Sequence, residues 1–86
     1  DNAQPEVQKR PDGSVTLDGL ALIEEVNKEL GLALQDPNYD TIAGFVLGNL
    51  NRIPTVGDVV ERDGVRLRVE EMDGMRIARL TLEWIK

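Results

Sequence analysis

The chain has 86 residues and a formal net charge of −6, from 16 acidic and 10 basic residues, and it contains neither cysteine nor histidine. A chain of this length supports one small hydrophobic core, so we expect a single folded domain. The missing residue types exclude disulfides, zinc sites of the Cys/His type, and catalysis by a cysteine nucleophile or a serine–histidine pair.

Residues 1–13 have the composition of a linker, with two prolines, scattered charges and one larger apolar side chain, Val7. Such a segment buries too little apolar surface to compensate for the entropy of ordering it. We therefore predict a flexible linker over 1–13 and a folded domain over 14–86. Residues 14–18 alternate between polar and apolar and predict a short strand. Because the chain begins with Asp instead of Met, we expect it to be part of a longer protein.

An amphipathic helix is predicted from about residue 21 to residue 30. Its apolar residues recur at steps of three and four and form one stripe: Leu22, Ile23, Val26 and Leu30. Glu24 and Lys28 have the spacing of an i,i+4 ion pair on the outer face. Gly31 follows as a residue that adopts the left-handed backbone at a helix end.

A second helix begins after a cap at Asp40 or Thr41 and ends at Asn51. Apolar side chains surround it almost completely, which is typical of a helix buried on more than one side. Gly44 and Gly48 are four residues apart and share a face. They predict a close approach to the sheet or to the first helix, and a close-packed subunit contact is the alternative.

Three strands follow, connected by two-residue turns at Asp63-Gly64 and Asp73-Gly74, which is a strong hairpin signal. Counting outward from the first turn pairs Val60 with Leu67 and Glu61 with Arg66. Counting from the second pairs Leu67 with Leu80, Val69 with Ala78, and Arg68 with Arg79. The last strand requires a bulge near residues 76–77 to keep Ile77 on the apolar side. The predicted fold is α+β, in the order β-α-α-β-β-β, with two helices packed on a small, mainly antiparallel sheet.

Few residues carry recognisable chemistry. Four acidic residues lie at or near the turns and predict a solvated rim, with a Mg²⁺ or Ca²⁺ site as the alternative: Asp63, Glu70, Glu71 and Asp73. Four arginines on the last two strands neutralise local acids or bind an anionic ligand or acidic partner: Arg66, Arg68, Arg76 and Arg79. Trp84 is a core or edge residue, or the anchor of a dimer. We predict no catalytic set and no enzyme.

Other partner classes are not supported. The acidic balance and a total of three aromatic residues argue against nucleic acid, which is usually bound by basic surfaces and stacking rings. No apolar run approaches the ~20 residues that cross a bilayer, so we expect no direct membrane insertion of this segment.

Five short motifs occur in an order that resembles the transporter-associated domain of the CorC/HlyC family. They are Asp18-Gly19, Asp40-Thr41-Ile42-Ala43-Gly44, Arg52-Ile53-Pro54, Gly57-Asp58 and Asp73-Gly74-Met75-Arg76-Ile77. The resemblance covers roughly residues 12–82. Asn51 stands where that family usually has glycine, and Gly48 stands where a larger residue is common. Asparagine tolerates the left-handed conformation, so the helix end is expected to survive.

The resemblance implies a context. Similar domains lie at the C-terminus of haemolysin-like bacterial membrane proteins, after transmembrane and CBS domains, and are associated with magnesium and cobalt efflux. The implied function is a cytoplasmic regulatory module at the bacterial inner membrane, acting on the preceding CBS and transmembrane domains or as a homodimer. The alternative is a sensor of a nucleotide, a flavin-like anion or a divalent metal. No cofactor and no catalytic residues follow from the resemblance.

Overall fold

Two short helices lie against one face of a five-stranded antiparallel sheet in the computed structural model, which describes residues 6–85. In chain order the elements are β1 (Val7–Lys9), β2 (Val15–Asp18), α1 (Ile23–Leu30), α2 (Ile42–Leu50), β3 (Val59–Arg62), β4 (Val65–Asp73) and β5 (Arg76–Trp84). The strand order across the sheet is β1-β2-β5-β4-β3, so β1 and β3 form the edges. The predicted α+β class and element order are confirmed, with one additional strand. Within residues 6–85 no helix is both long and apolar enough to cross a membrane.

The additional strand, β1, lies inside the stretch predicted as a linker. Val7 pairs with Leu17 and Lys9 pairs with Val15, and the Val7 side chain packs against the core. The linker prediction is therefore wrong for residues 7–9, because backbone pairing with β2 orders a segment whose own side chains bury little surface. The domain boundary at residue 14 stays a prediction, and residues 1–5 of the linker lie outside the described residues.

The sheet has one buried apolar face and one open face. Along β4, Val65, Leu67 and Val69 are buried, whereas the intervening Arg66 and Arg68 are partly exposed. Successive side chains of a strand point to opposite faces, so this alternation places the helices on one side of the sheet and leaves the other side to solvent. The helices complete the core with Ile23, Val26, Ile42, Phe45 and Val46.

Both helices end at a residue with a left-handed backbone, as the sequence predicts. Gly31 has φ 67° and donates its N–H to the carbonyl of Asn27. Asn51 has φ 57° and donates its N–H to the carbonyl of Leu47. Asparagine therefore ends α2 at low conformational cost, as expected where the family resemblance implies glycine.

The helix starts differ in part from the prediction. Thr41 is the cap of α2, because its Oγ1 accepts a hydrogen bond of 3.1 Å from the Gly44 N–H. Helix α1 begins at Ile23, two residues later than predicted, and the Ile23 N–H donates to the Asp40 carbonyl at 2.8 Å. Leu22, predicted in the buried stripe, precedes the first turn and stays 42% exposed.

The first hairpin turn is the predicted one. Asp63 and Gly64 have φ of 53° and 80°, and positive φ at both central positions is the property of a type I′ turn. Both predicted cross-strand pairs are observed, Val60 with Leu67 and Glu61 with Arg66.

The second hairpin turn is centred one residue later than predicted. Asp73 still belongs to β4 and pairs with Arg76, so Gly74 and Met75 occupy the turn. Only Gly74 has positive φ, at 65°, as in a type II′ turn, which has glycine first. The predicted pairs across this turn are therefore wrong by two positions. The observed pairs are Leu67 with Leu82, Val69 with Leu80, and Arg68 with Thr81.

The predicted break in the alternation of β5 is present, one residue beyond the expected place. The pairs on either side of it are Val69 with Leu80, Glu71 with Arg79, and Met72 with Ile77. Strand β4 therefore has one extra residue at Glu70, and β5 has one at Ala78. These two irregularities compensate for each other and allow Ile77 and Leu80 both to be buried.

Candidate functional site

The side chains of residues 6–85 form no compact reactive cluster. In this part of the chain no buried residue is polar or charged, and no group of three acidic side chains could hold a metal ion. No buried side-chain nitrogen or oxygen there lacks a hydrogen-bond partner. The candidate sites are therefore surfaces, and they lie on both sides of the sheet.

Gly44 and Gly48 lie on the face of α2 that is covered by Tyr39. A Cβ on Gly44 would stand 2.5 Å from the Tyr39 Cβ, and one on Gly48 would stand 2.8 Å from the Asp36 Oδ2. The predicted close approach is present, but the neighbour is the loop before α2 and not the sheet or α1. Sequence reasoning misses Tyr39, and the available signal is a lone tyrosine placed just before a helix with two glycines on one face. A subunit contact at these glycines stays a prediction.

The loop between α1 and α2 is held by two polar side chains. The Asn27 amide donates to the Leu34 carbonyl and accepts from the Leu34 N–H, both at 2.9 Å. The Asp36 Oδ1 accepts from the N–H groups of Asn38 and Tyr39 at 2.8 and 3.1 Å. These bonds fix the backbone that carries the Tyr39 ring across α2.

An open groove of about 770 Å³ runs between α1 and this loop, and we call it the helix-side groove. Its apolar lining consists of Leu22, Ile23, Leu34, Pro37 and Tyr39. Its charged lining is acidic and consists of Glu24, Asp36 and Asp40. Leu22 and Tyr39 are 42% and 40% exposed, so the groove presents apolar surface to solvent beside acidic groups.

The four predicted arginines each have an acidic neighbour. The pairs are Arg66 Nε with Glu61 Oε2 at 2.9 Å, Arg76 Nη2 with Asp73 Oδ2 at 3.1 Å, Arg68 Nη2 with Glu83 Oε1 at 4.0 Å, and Arg79 with Glu71. All eight side chains are more than a third exposed, so each pair contributes only ~0–1 kcal/mol. This geometry favours the interpretation that they neutralise local acids.

The arginines do not form one patch. Arg66 lies next to the β3–β4 turn, and Arg76 lies next to the β4–β5 turn at the other end of the hairpin. The strand rise separates them by roughly 20 Å. Arg79 lines a shallow polar depression of about 640 Å³ on the open face, together with Arg10, Glu70 and Glu71. Two basic and two acidic side chains leave this depression without an excess of either charge.

Trp84 has the predicted orientation, and of the core and edge positions predicted for it the structure shows the edge position. It pairs with Val65, which is fully buried, so it lies on the apolar side of β5. It is nevertheless the last residue of the strand and is 45% exposed, and Ile85 beside it is 38% exposed. Trp84 is therefore an edge residue, and its part in a dimer stays a prediction.

The segment between α2 and β3 is fixed by an ion pair. Arg52 donates from Nη1 and Nη2 to the two carboxylate oxygens of Asp58 at 2.9 and 2.8 Å, and the Thr55 N–H donates to the same carboxylate at 2.8 Å. The Arg52 hydrogen bond, and after it the Thr55 N–H, lower the pKa of Asp58 from 3.8 to about 2. The same bond raises the pKa of Arg52. Arg52 and Asp58 belong to two of the family-like motifs, and in the structure they close a turn.

The fold and these surfaces first define a class: a small α+β domain with two short helices on one face of an antiparallel sheet. A family model described as the transporter associated domain, CorC_HlyC, matches residues 8–86, and the chain belongs to this family.

Two curated relatives illustrate how the chain relates to longer proteins. It is 36% identical over 81 residues to a UPF0053 protein of Synechocystis, and 32% identical over 65 residues to the magnesium and cobalt efflux protein CorC of Escherichia coli. The matches cover 90% and 76% of this chain but 18% and 22% of those proteins. The chain thus spans about a fifth of the length of these relatives.

Solved structures of similar domains match almost completely. A transporter associated domain from a Xylella fastidiosa haemolysin is 34% identical with a TM-score of 0.88, and the match covers 98% of this chain and 100% of that one. A structure of such a domain in complex with Mg²⁺ and Mn²⁺ is 35% identical with a TM-score of 0.86, covering 95% and 100%. A domain from a CBS domain protein of Porphyromonas gingivalis is 25% identical with a TM-score of 0.86, covering 95% and 100%.

Proposed function

We propose that the chain is a non-enzymatic regulatory module of a bacterial membrane ion transporter, on the cytoplasmic side of the inner membrane, with Mg²⁺ and Co²⁺ as the candidate ions. One observation carries the proposal. The chain matches whole solved domains end to end, yet it matches about a fifth of a magnesium and cobalt efflux protein. We infer that such a unit acts on the rest of a longer parent protein.

The surface supports action by contact. In residues 6–85 the exposed features include an apolar groove with acidic sides, a charge-balanced sheet face and an exposed tryptophan at a strand end. The preceding CBS and transmembrane parts of the parent protein are the proposed partners, and self-association through Trp84 is the alternative.

The test is association of the purified domain with the separately produced remainder of the parent protein. Domains of the same extent have been solved as separate chains, so the isolated domain is a suitable reagent. We expect light scattering to show a complex, and backbone amide shifts to map the contact. A strictly monomeric domain with no shift from the parent protein would contradict the proposal.

A divalent-cation sensor is the second candidate function, because a domain 35% identical to this chain has been solved with Mg²⁺ and Mn²⁺. Thermal melting with Mg²⁺, Mn²⁺ and Co²⁺ separates this candidate function from the first. Adenine nucleotides and flavins are tested in the same way, because the sensor hypothesis includes them. A rise in Tm that saturates with cation concentration favours the sensor, since a ligand that binds only the native state stabilises it. An unchanged Tm favours the contact module.

A further inference from the structure

The helix-side groove combines exposed apolar surface with an excess of negative charge. Leu22 and Tyr39 remain about 40% exposed on its lining, although both are large enough to belong in a core. Glu24, Asp36 and Asp40 also line it, and its lining residues include neither lysine nor arginine. A groove of this composition suits a ligand that is apolar at its centre and positively charged beside it.

The acids of the groove are not neutralised by the domain itself. None of the three forms an ion pair within residues 6–85, and all five ion pairs there lie between residues 52 and 83. Glu24 and Lys28 have favourable spacing for an ion pair but do not make one. The negative charge of this side is therefore available to a partner.

The walls of the groove are already ordered. One wall is α1, and the opposite wall is the loop that Asn27 and Asp36 hold by four hydrogen bonds. The backbone bond from the Ile23 N–H to the Asp40 carbonyl, at 2.8 Å, joins the two walls at one end. A preformed groove loses less conformational entropy on binding than a flexible surface does.

We propose that the helix-side groove binds a basic segment of a partner protein, with an apolar side chain inserted beside Leu22 and Tyr39 and lysine or arginine next to Glu24 and Asp40. The inference rests on the proposed function and names the chemistry of its partner. A second copy of this chain fits less well, because it carries a net charge of −6. An anionic ligand or an anionic lipid surface meets the wrong sign of charge.

The probe is a six-residue peptide with a central leucine–phenylalanine pair and two lysines or arginines on each side. We expect it to shift the backbone amides of Leu22, Gln35 and Tyr39 in the isolated domain. Two control peptides of equal length carry glutamate at the flanks or serine at the centre, and we expect both to bind more weakly. Equal binding of either control would overturn the proposal.

Variants then assign the contact to the groove. Glu24→Gln with Asp40→Asn should weaken peptide binding about fivefold, because each removes one exposed charge contact. Asp63→Asn removes one charge on the sheet side as a control and should leave binding unchanged, and asparagine is tolerated at its φ of 53°. The side chains of Glu24, Asp40 and Asp63 make no hydrogen bond or ion pair within residues 6–85, so the fold should survive.

The apolar anchor has its own control. Leu22→Ser should weaken the peptide about threefold or more, while serine remains a good residue at the helix start that Leu22 occupies. Val56→Ser, at a residue that is 61% exposed before β3, should have no effect. Equal effects of the two changes would contradict an apolar anchor in the groove.

Association with the remainder of the parent protein separates failure of this inference from failure of the proposed function. If the groove variants and the wild type bind the parent protein equally, the groove is not the contact but the regulatory module stands. If the wild type binds neither the parent protein nor the peptide, both proposals fail. If the wild type binds the parent protein and the groove variants do not, the result supports both the regulatory module and the groove as its contact.

Discussion

The helical side and the sheet side of the domain differ in how far their acidic residues are balanced by basic ones. Residues 20–50, which contain both helices, carry five acidic residues and one basic residue, whereas residues 51–85 carry seven acidic and six basic residues. On the sheet side Arg66 pairs with Glu61 and Arg79 with Glu71 across neighbouring strands. The helical side has no ion pair among the described residues. Residues 20–50 therefore contribute −4 to the net charge of −6, and three of their five acidic side chains line the helix-side groove.

The cause of this difference is geometric. Adjacent strands place side chains directly opposite each other at about 5 Å, so opposite charges on neighbouring strands meet. Helices of eight and nine residues offer few such pairs, and the one favourable spacing, Glu24 with Lys28, forms no ion pair. The comparison teaches that strand pairing balances the charges of the sheet side, whereas the acidic side chains of the helical side keep no basic partner among the described residues.

The largest effect is expected at the junction of the two sides. A Cβ on Gly19 would stand 2.0 Å from the Ile77 carbonyl oxygen and 3.3 Å from the Ala43 Cβ. Gly19→Ala should therefore separate α2 from the sheet and lower the free energy of unfolding by about 3 kcal/mol, measured by urea denaturation. Leu20→Ala, at a neighbouring residue that is 53% exposed, is the control and should cost much less. A Gly19→Ala variant as stable as the control would show that the junction is not close-packed.

A smaller effect is expected within the helical side. Gly44→Ala places a methyl group against the Tyr39 Cβ, which is close to the backbone and moves little. We expect a loss of about 1–2 kcal/mol, because overpacking exceeds the gain in helix propensity. Gly48→Ala is the matched control: its Cβ meets Asp36 Oδ2, the end of a side chain that can shift slightly from α2 while Oδ1 keeps its bonds to Asn38 and Tyr39.

For Gly48→Ala the propensity gain should dominate, so its stability should equal or exceed that of the wild type by up to ~1 kcal/mol. Thermal melting of the two variants side by side measures the difference. If Gly48→Ala proved the more damaging of the two, Tyr39 would not be the main neighbour of this face.

The connection between the two sides should be sensitive to acid. The folded-state pKa of Asp58 is lowered from 3.8 to about 2 by its bonds to Arg52 and Thr55. A group with a lowered pKa stabilises the fold above its unfolded pKa and loses this contribution as the pH falls through the folded pKa. The contribution of Asp58 should thus be complete above about pH 4 and should disappear near pH 2.

Urea midpoints measured between pH 6 and pH 2 test this expectation. Asp58→Asn should be less stable than the wild type at pH 6, and the difference should shrink toward pH 2. Arg52→Gln removes the partner of Asp58, so its difference in stability from the wild type should also shrink toward pH 2. A difference that is constant over this range would rule out the ion pair as its source.

The smallest effects are expected on the open sheet face. Arg66→Gln and Arg79→Gln each remove one exposed ion pair, so the free energy of unfolding should change by no more than ~1 kcal/mol in either case. Urea denaturation at low and high salt measures both the size of the effect and its screening. A loss of unfolding free energy well above this range that does not depend on salt would mean that these arginines stabilise the sheet face by more than exposed ion pairs.

The sequence alone determines the features that depend on neighbouring residues. Gly31 and Asn51 end their helices because each adopts the left-handed backbone at low cost directly after the last turn. Asp63-Gly64 sets the first hairpin and its register, since both turn residues have positive φ. The family motifs are equally local, and the match over residues 8–86 confirms the family that they indicate. The candidate surfaces are less predictable: the arginines are visible in the sequence, but the groove is not.

Tertiary structure alone decides features that depend on distant partners. Val7–Lys9 becomes a strand because β2 is present to pair with it, and Tyr39 covers Gly44 because Asn27 and Asp36 hold its loop. The type II′ turn at Gly74 sets a register in which β5 pairs with both β2 and β4. The turn sequence alone does not specify that β5 must fit both neighbouring strands. Backbone hydrogen bonds between distant segments have no periodicity in the chain, so the sequence pattern does not report them.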